Sequence, residues 1–176
     1  MGEWLFHLTE LLRTTRLVEF SLWVSDRPFA LWLQSHFYAI PTFQTIHILA
    51  IAILFASTLM LSLRVLGVNG CDQSLEATLR RHRPWIWSAL LALIASGAIL
   101  LISEPVRNMV NPIFWMKMTM LLVAVAVSLG FQRAVRLQAA DGSTIGQGGL
   151  RVASVAILVL WCAVIAGGRW IAYAPA

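Results

Sequence analysis

From residue 39 onward, long apolar stretches alternate with short polar breaks. Four stretches, approximately 39–63, 85–103, 112–131 and 152–173, are each long enough as helices to cross about 30 Å of hydrocarbon, which takes roughly 20 residues. The breaks "RVLGVNGCDQSLEATLRRHRP", "EPVRNMVN" and "QRAVRLQAADGSTIGQGGLR" hold the glycines, prolines and charges that punctuate apolar helices. The expected fold is all-α. It comprises a transmembrane four-helix bundle over 39–176, preceded by amphipathic interfacial helices over 1–38.

The first 38 residues lack the basic start, uninterrupted apolar core and small-residue cleavage site of a signal peptide. Phe6 stands where myristoylation would need Ser or Thr. Trp4, Leu8, Leu11, Thr15 and Val18 share one side of a helical wheel, and Glu3, His7, Glu10 and Thr14 share another, as in a helix lying in the membrane surface. Arg16 and Glu19 interrupt the apolar arc, so the helix is expected to end or turn there. A second helix is expected to start with Ser25 or Asp26 as N-cap and Pro28 close to the first position.

Composition agrees with the membrane reading. The chain is 59% hydrophobic and 12% charged, against about 25% charged for soluble domains. Its net charge of +5 fits loops beside a lipid surface, and with no basic patch interleaved with aromatics, nucleic acid is not an expected partner. Cys71 and Cys162 form no CxxC motif. The glycines of "DGSTIGQGG" follow no strand and precede no GK[ST], so they read as a loop rather than a phosphate cradle. No nucleophile elbow, HExxH or paired-carboxylate motif is present, so the isolated chain is not expected to be an enzyme.

Positive charges suggest an orientation. Arg64, Arg80, Arg81, Arg83, Arg133, Arg136 and Arg151 flank the spans at one end, against Arg107, Lys117 and Arg169 at the other. Arg13, Arg16 and Arg27 lie further off in the amphipathic segment. Because cytoplasmic loops collect Lys and Arg near span ends, the first group is expected to face the cytoplasm of a bacterial inner membrane, with both termini periplasmic.

The candidate chemistry gathers at the outer end. His47 lies about eight residues into the first span, or ~12 Å along the axis, with Gln44, Ile51 and Thr58 within about 60° of it on the helical wheel. Glu104 closes the second span, Lys117 lies early in the third, and Arg169 lies near the end of the fourth. A charge inside a bilayer is costly, by about 2.5–3.5 kcal/mol at the centre on insertion scales, and so points to function. A cofactor site would use His47, Gln44, Glu104, Lys117, Arg169, Trp115 and Trp170, with a quinone or haem b as the group held. A single haem between His36 and His47 is disfavoured if the helix continues between them, because eleven residues then set them about 16 Å apart, with Pro41 as the point where the chain would bend; His47 paired with Met109, Met116 or Met118 is the other haem arrangement. Copper is the alternative, with His36, His47 and Met116 as ligands and Met109 and Met118 as further soft donors.

The order "H…LSLRVLG…RPWIWSALLALIASGAILLISE…NPIFWMKMTMLL…AGGRWIAYA" resembles an uncharacterised family of four-span bacterial membrane proteins, a domain of unknown function, over about Trp32 to Tyr173. That resemblance implies the architecture and brings no reaction or cofactor. The chain is more loosely similar to copper-resistance membrane proteins and to four-helix cytochrome b561 proteins, but lacks the paired intramembrane histidines of the latter. Together these readings lead to the expectation of a membrane-embedded accessory or anchor subunit of a respiratory or redox assembly, in contact with lipid and with other membrane or periplasmic subunits. A copper-handling protein and a structural scaffold are the alternatives.

Overall fold

The computed structural model describes residues 2–69, 72–141 and 147–170. Among them every regular element is helical. The elements are α1 (Gly2–Arg13), α2 (Arg16–Ser25), α3 (Pro28–Ser35), α4 (Ala39–Leu66), α5 (Leu75–Ser103), α6 (Pro105–Met109), α7 (Pro112–Asp141) and α8 (Gln147–Trp170).

Four of these, α4, α5, α7 and α8, are long and apolar enough to span a membrane. Only 11% of the most apolar window of α7 is buried within the protein, and 28–33% of the windows in the other three. Large apolar side chains such as Leu91, Leu122 and Val159 therefore point outward. In water such a surface would aggregate, whereas in lipid it is the expected exterior.

The amphipathic segment divides once more than its periodicity suggested. Thr15 caps α2, its side chain accepting the Leu17 N–H at 3.4 Å, close to the expected break at Arg16. The N-cap of α3 is Arg27, which makes no side-chain cap bond, rather than Ser25 or Asp26; Pro28 takes the first turn as expected. The fixed φ of proline suits that position without help from a capping side chain.

Two breaks are also more helical than their charge implied. The α5 helix begins at Leu75, where the Ser74 hydroxyl accepts the Ala77 N–H at 3.1 Å, and it continues through Pro84. Pro84 costs one intrahelical bond, in a stretch whose polar side chains mark it as hydrated. The "EPVRNMVN" break contains α6. Asn111 then caps α7, its side-chain oxygen accepting the Ile113 N–H at 2.9 Å with Pro112 in the first turn.

Two compact units make up the chain. The first comprises Met1–Leu49, Ala92–Thr119 and Ala166–Ala176, and the second Ala50–Leu91 and Met120–Ile165. In the first unit α2 packs on α6 and touches α1 and α3. Gln34 of α3 donates its side-chain amide to the Ser103 carbonyl of α5 at 3.0 Å. Helices α2 and α3 are thereby tied to the ends of the spans.

In the second unit, parts of α4, α5, α7 and α8 converge on Leu54, Ile86, Val125 and Trp161 around a cavity of only ≈ 10 Å³. Trp161 donates its indole N–H to Ser128 Oγ at 3.3 Å. Near-complete filling is what close-packed interiors require. All seven arginines assigned above to the cytoplasmic end belong to this unit, whereas Arg107, Lys117 and Arg169 belong to the first.

Candidate functional site

Within the first unit, each of the four spanning helices contributes one part of a compact polar group. From α4 comes His47, half-buried, with Nδ1 2.8 Å from Ser96 Oγ of α5. That serine hydroxyl also lies 2.6 Å from the Ala92 carbonyl of its own helix. A hydroxyl has a single proton, and the short contact commits it to Ala92. Ser96 Oγ is then the acceptor, and Nδ1–H of His47 is the donor. The remaining nitrogen, Nε2, has no partner among the described residues, so in the neutral ring it carries the lone pair and is free to take a proton or a ligand.

Gly97 lies beneath the imidazole. A Cβ there would stand 3.3 Å from His47 Cε1, so the absence of a side chain is what lets the ring lie against α5. Lys117 of α7 is seated in a similar way on α8, its Nζ 3.2 Å from where a Cβ of Gly168 would be. The ammonium of Lys117 lies within electrostatic reach of His47. Among the described residues it makes no hydrogen bond or ion pair. A donor of three hydrogen bonds inside a spanning helix is a costly arrangement unless another group completes it.

The other predicted positions are arranged differently. Glu104 ends in an exposed ion pair with Arg107, 3.0 Å away and three residues on. The short i,i+3 spacing gives it a nearer cation. Trp115 donates its indole N–H to the Met109 carbonyl at 2.9 Å, closing the turn between α6 and α7. Gln44 and Met116 are exposed. The side chains of Arg169 and Trp170 lie outside the described part of the structure, as does Cys71, whereas Cys162 is an exposed free thiol.

His36 has a structural task at the end of α3. Its Nδ1 is 2.8 Å from the Trp32 carbonyl, and its ring lies 4.7 Å from that of Trp32 and 5.6 Å from that of Tyr38. The helix does not continue from His36 to His47, since α3 ends at Ser35 and α4 starts at Ala39. Among the described residues no three His, Cys, Asp or Glu side chains converge as metal ligands.

Sequence reasoning singled out His47 and Lys117 by their depth but did not assign Ser96, Gly97 or Gly168 to this site. The available signal was spacing: Ser96 and Gly97 lie about as far from the C-terminal end of α5 as His47 does from the N-terminal end of α4.

The fold and this group define a multi-pass helical membrane protein with an imidazole and an ammonium held inside its spans. Residues 33–174 match the model of a family of unknown function, DUF6644; the chain belongs to that family. No curated protein and no solved structure matches it.

Proposed function

We propose that this protein is a membrane-integral accessory subunit of a respiratory or redox assembly, and that His47 is its proton acceptor for a quinone-type headgroup. The observation that carries the reading is the chain His47 Nδ1–H to Ser96 Oγ to the Ala92 carbonyl. This chain anchors one face of the imidazole and leaves Nε2 as a base. Quinol oxidation releases hydroxyl protons while electrons pass to a redox centre of the partner assembly, so it needs a base within hydrogen-bonding reach. The ammonium of Lys117 would favour the negative charge that develops on the quinol oxygen as its proton passes to His47. The arginine distribution supports an orientation with the His47 end away from the cytoplasm, which in a bacterial inner membrane would be the periplasmic side.

The test is titration of the purified protein in detergent with a short-chain quinol kept reduced, whose hydroxyl can donate to Nε2, followed by tryptophan fluorescence. Saturable quenching is expected, with His47→Ala and Lys117→Met each weakening affinity by about tenfold or more, the value of one good charge-assisted hydrogen bond. Absence of saturable quenching in the unaltered protein would sink the quinone assignment. A Soret band in the purified protein would redirect Nε2 to a haem iron.

A further inference from the structure

Beyond the His47 group, the first unit has a second built feature. An open groove of ≈ 420 Å³ is lined by Ser25, Gln34, Ile40, Ser103, Glu104 and Arg107, with Pro105 and Val106 adding apolar surface. It lies where hydrocarbon should give way to headgroups. Ser103 is the last residue of the α5 span and Ile40 the second of α4. The neighbouring helices α2 and α3, with the turn that follows, expose Trp23, Phe29, Trp32, Phe37 and Tyr38. Aromatic side chains gather at that level of a bilayer.

The polar equipment of the groove is of mixed sign. Glu104 Oε2 and Arg107 Nη1 are 3.0 Å apart, and both side chains are about half exposed. An exposed pair of this kind contributes little by itself, so it can open to a ligand at small cost. The Gln34 amide N–H is committed to the Ser103 carbonyl, which leaves its side-chain oxygen as an acceptor. The Ser25 hydroxyl has no partner among the described residues.

We propose that this groove holds the headgroup of a zwitterionic aminophospholipid, its phosphate on Arg107 and Ser25 and its primary ammonium on Glu104 and the Gln34 oxygen. A purely anionic headgroup would meet Glu104, and a purely cationic ligand would meet Arg107. A zwitterion of opposite dipole replaces one ion pair with two and leaves no charge uncompensated. The ammonium must carry N–H donors, because a carboxylate and an amide oxygen accept hydrogen bonds that a trimethylated nitrogen cannot give. Ethanolamine therefore fits, whereas choline loses the contacts on that side. The acyl chains would leave along Ile40 and Val106 towards the apolar faces of the spans. The groove shares no residue with the His47 group, so its failure would leave the quinone reading standing.

The full-length protein, reconstituted in nanodiscs of equal phosphatidylethanolamine, phosphatidylcholine and phosphatidylglycerol, is released into native mass spectrometry and its retained lipids are counted. Retention of phosphatidylethanolamine over phosphatidylcholine by about tenfold is expected, equivalent to one charge-assisted hydrogen bond. Glu104→Gln should erase that preference, and Arg107→Gln should lower retention of both lipids. Equal retention of the two by the unaltered protein, or greatest retention of phosphatidylglycerol, would overturn the assignment. So would a Glu104→Gln variant that keeps the preference. The comparison of lipids on the unaltered protein requires no substitution, so it decides the matter even if a variant folds poorly.

Discussion

A methyl group at position 97 and one at position 168 would meet different obstacles, although the clearances are almost the same. At Gly97 the obstacle is the rigid imidazole of His47, 3.3 Å away and hydrogen-bonded to Ser96; at Gly168 it is the flexible end of Lys117, 3.2 Å away. Gly97→Ala is therefore expected to cost roughly 1–3 kcal/mol, as overpacking does, and Gly168→Ala markedly less, because an aliphatic chain can swing aside. Denaturant titration of both variants in detergent would check this, and equal losses would contradict the placement of His47 against α5. Position along each span was enough to bring His47 and Lys117 to notice, because alternating helices return to the same end. The partner of Glu104 was not legible in the same way. Depth told which cations lie at its level, but Arg107, three residues along the same chain, wins on proximity.

The end of α4 shows how a helix terminus is written in residues. Gly67 has φ +76°, the Val68 N–H reaches back to the Leu63 carbonyl at 3.0 Å, and the Gly67 N–H to the Arg64 carbonyl at 3.2 Å. These are the two bonds of a Schellman cap. Gly67→Ala would place a side chain in the left-handed region and should destabilise the protein by about 1–2 kcal/mol, read as a lower midpoint in thermal unfolding. The apolar cores of the spans could be read directly, since a run of roughly 20 apolar residues has few other uses. Their extensions could not. Leu75 to Pro84 and Gln132 to Asp141 are helical although charged, because a helix supplies its own backbone hydrogen bonds in water as in lipid and needs no apolar surface to continue. Likewise, α6 is too short to leave a periodic trace, and its place is set by packing on α2.

At the scale of the whole molecule, the positive charges near the span ends divide unequally between the two units. The second holds Arg64, Arg80, Arg81, Arg83, Arg133, Arg136 and Arg151, and the proposed orientation puts these in the cytoplasm. In a background with Cys71 and Cys162 changed to serine, a cysteine at Gln73 should resist a membrane-impermeant maleimide applied from outside, whereas one at Phe37, 90% exposed, should react. The reverse result would invert the orientation and move the His47 group to the cytoplasmic side.

Hydroxyls along the spans look mainly to their own helices. Thr42, Thr45, Thr58, Thr119, Ser128 and Ser154 each donate to the carbonyl four residues back, at 2.7–3.0 Å. Each rod thus satisfies these groups before it meets another, as a solvent without water demands. Assembly and secondary structure are thereby decoupled: a harsh surfactant such as dodecyl sulfate could part the rods and scatter the imidazole from the ammonium while circular dichroism still recorded nearly full helicity.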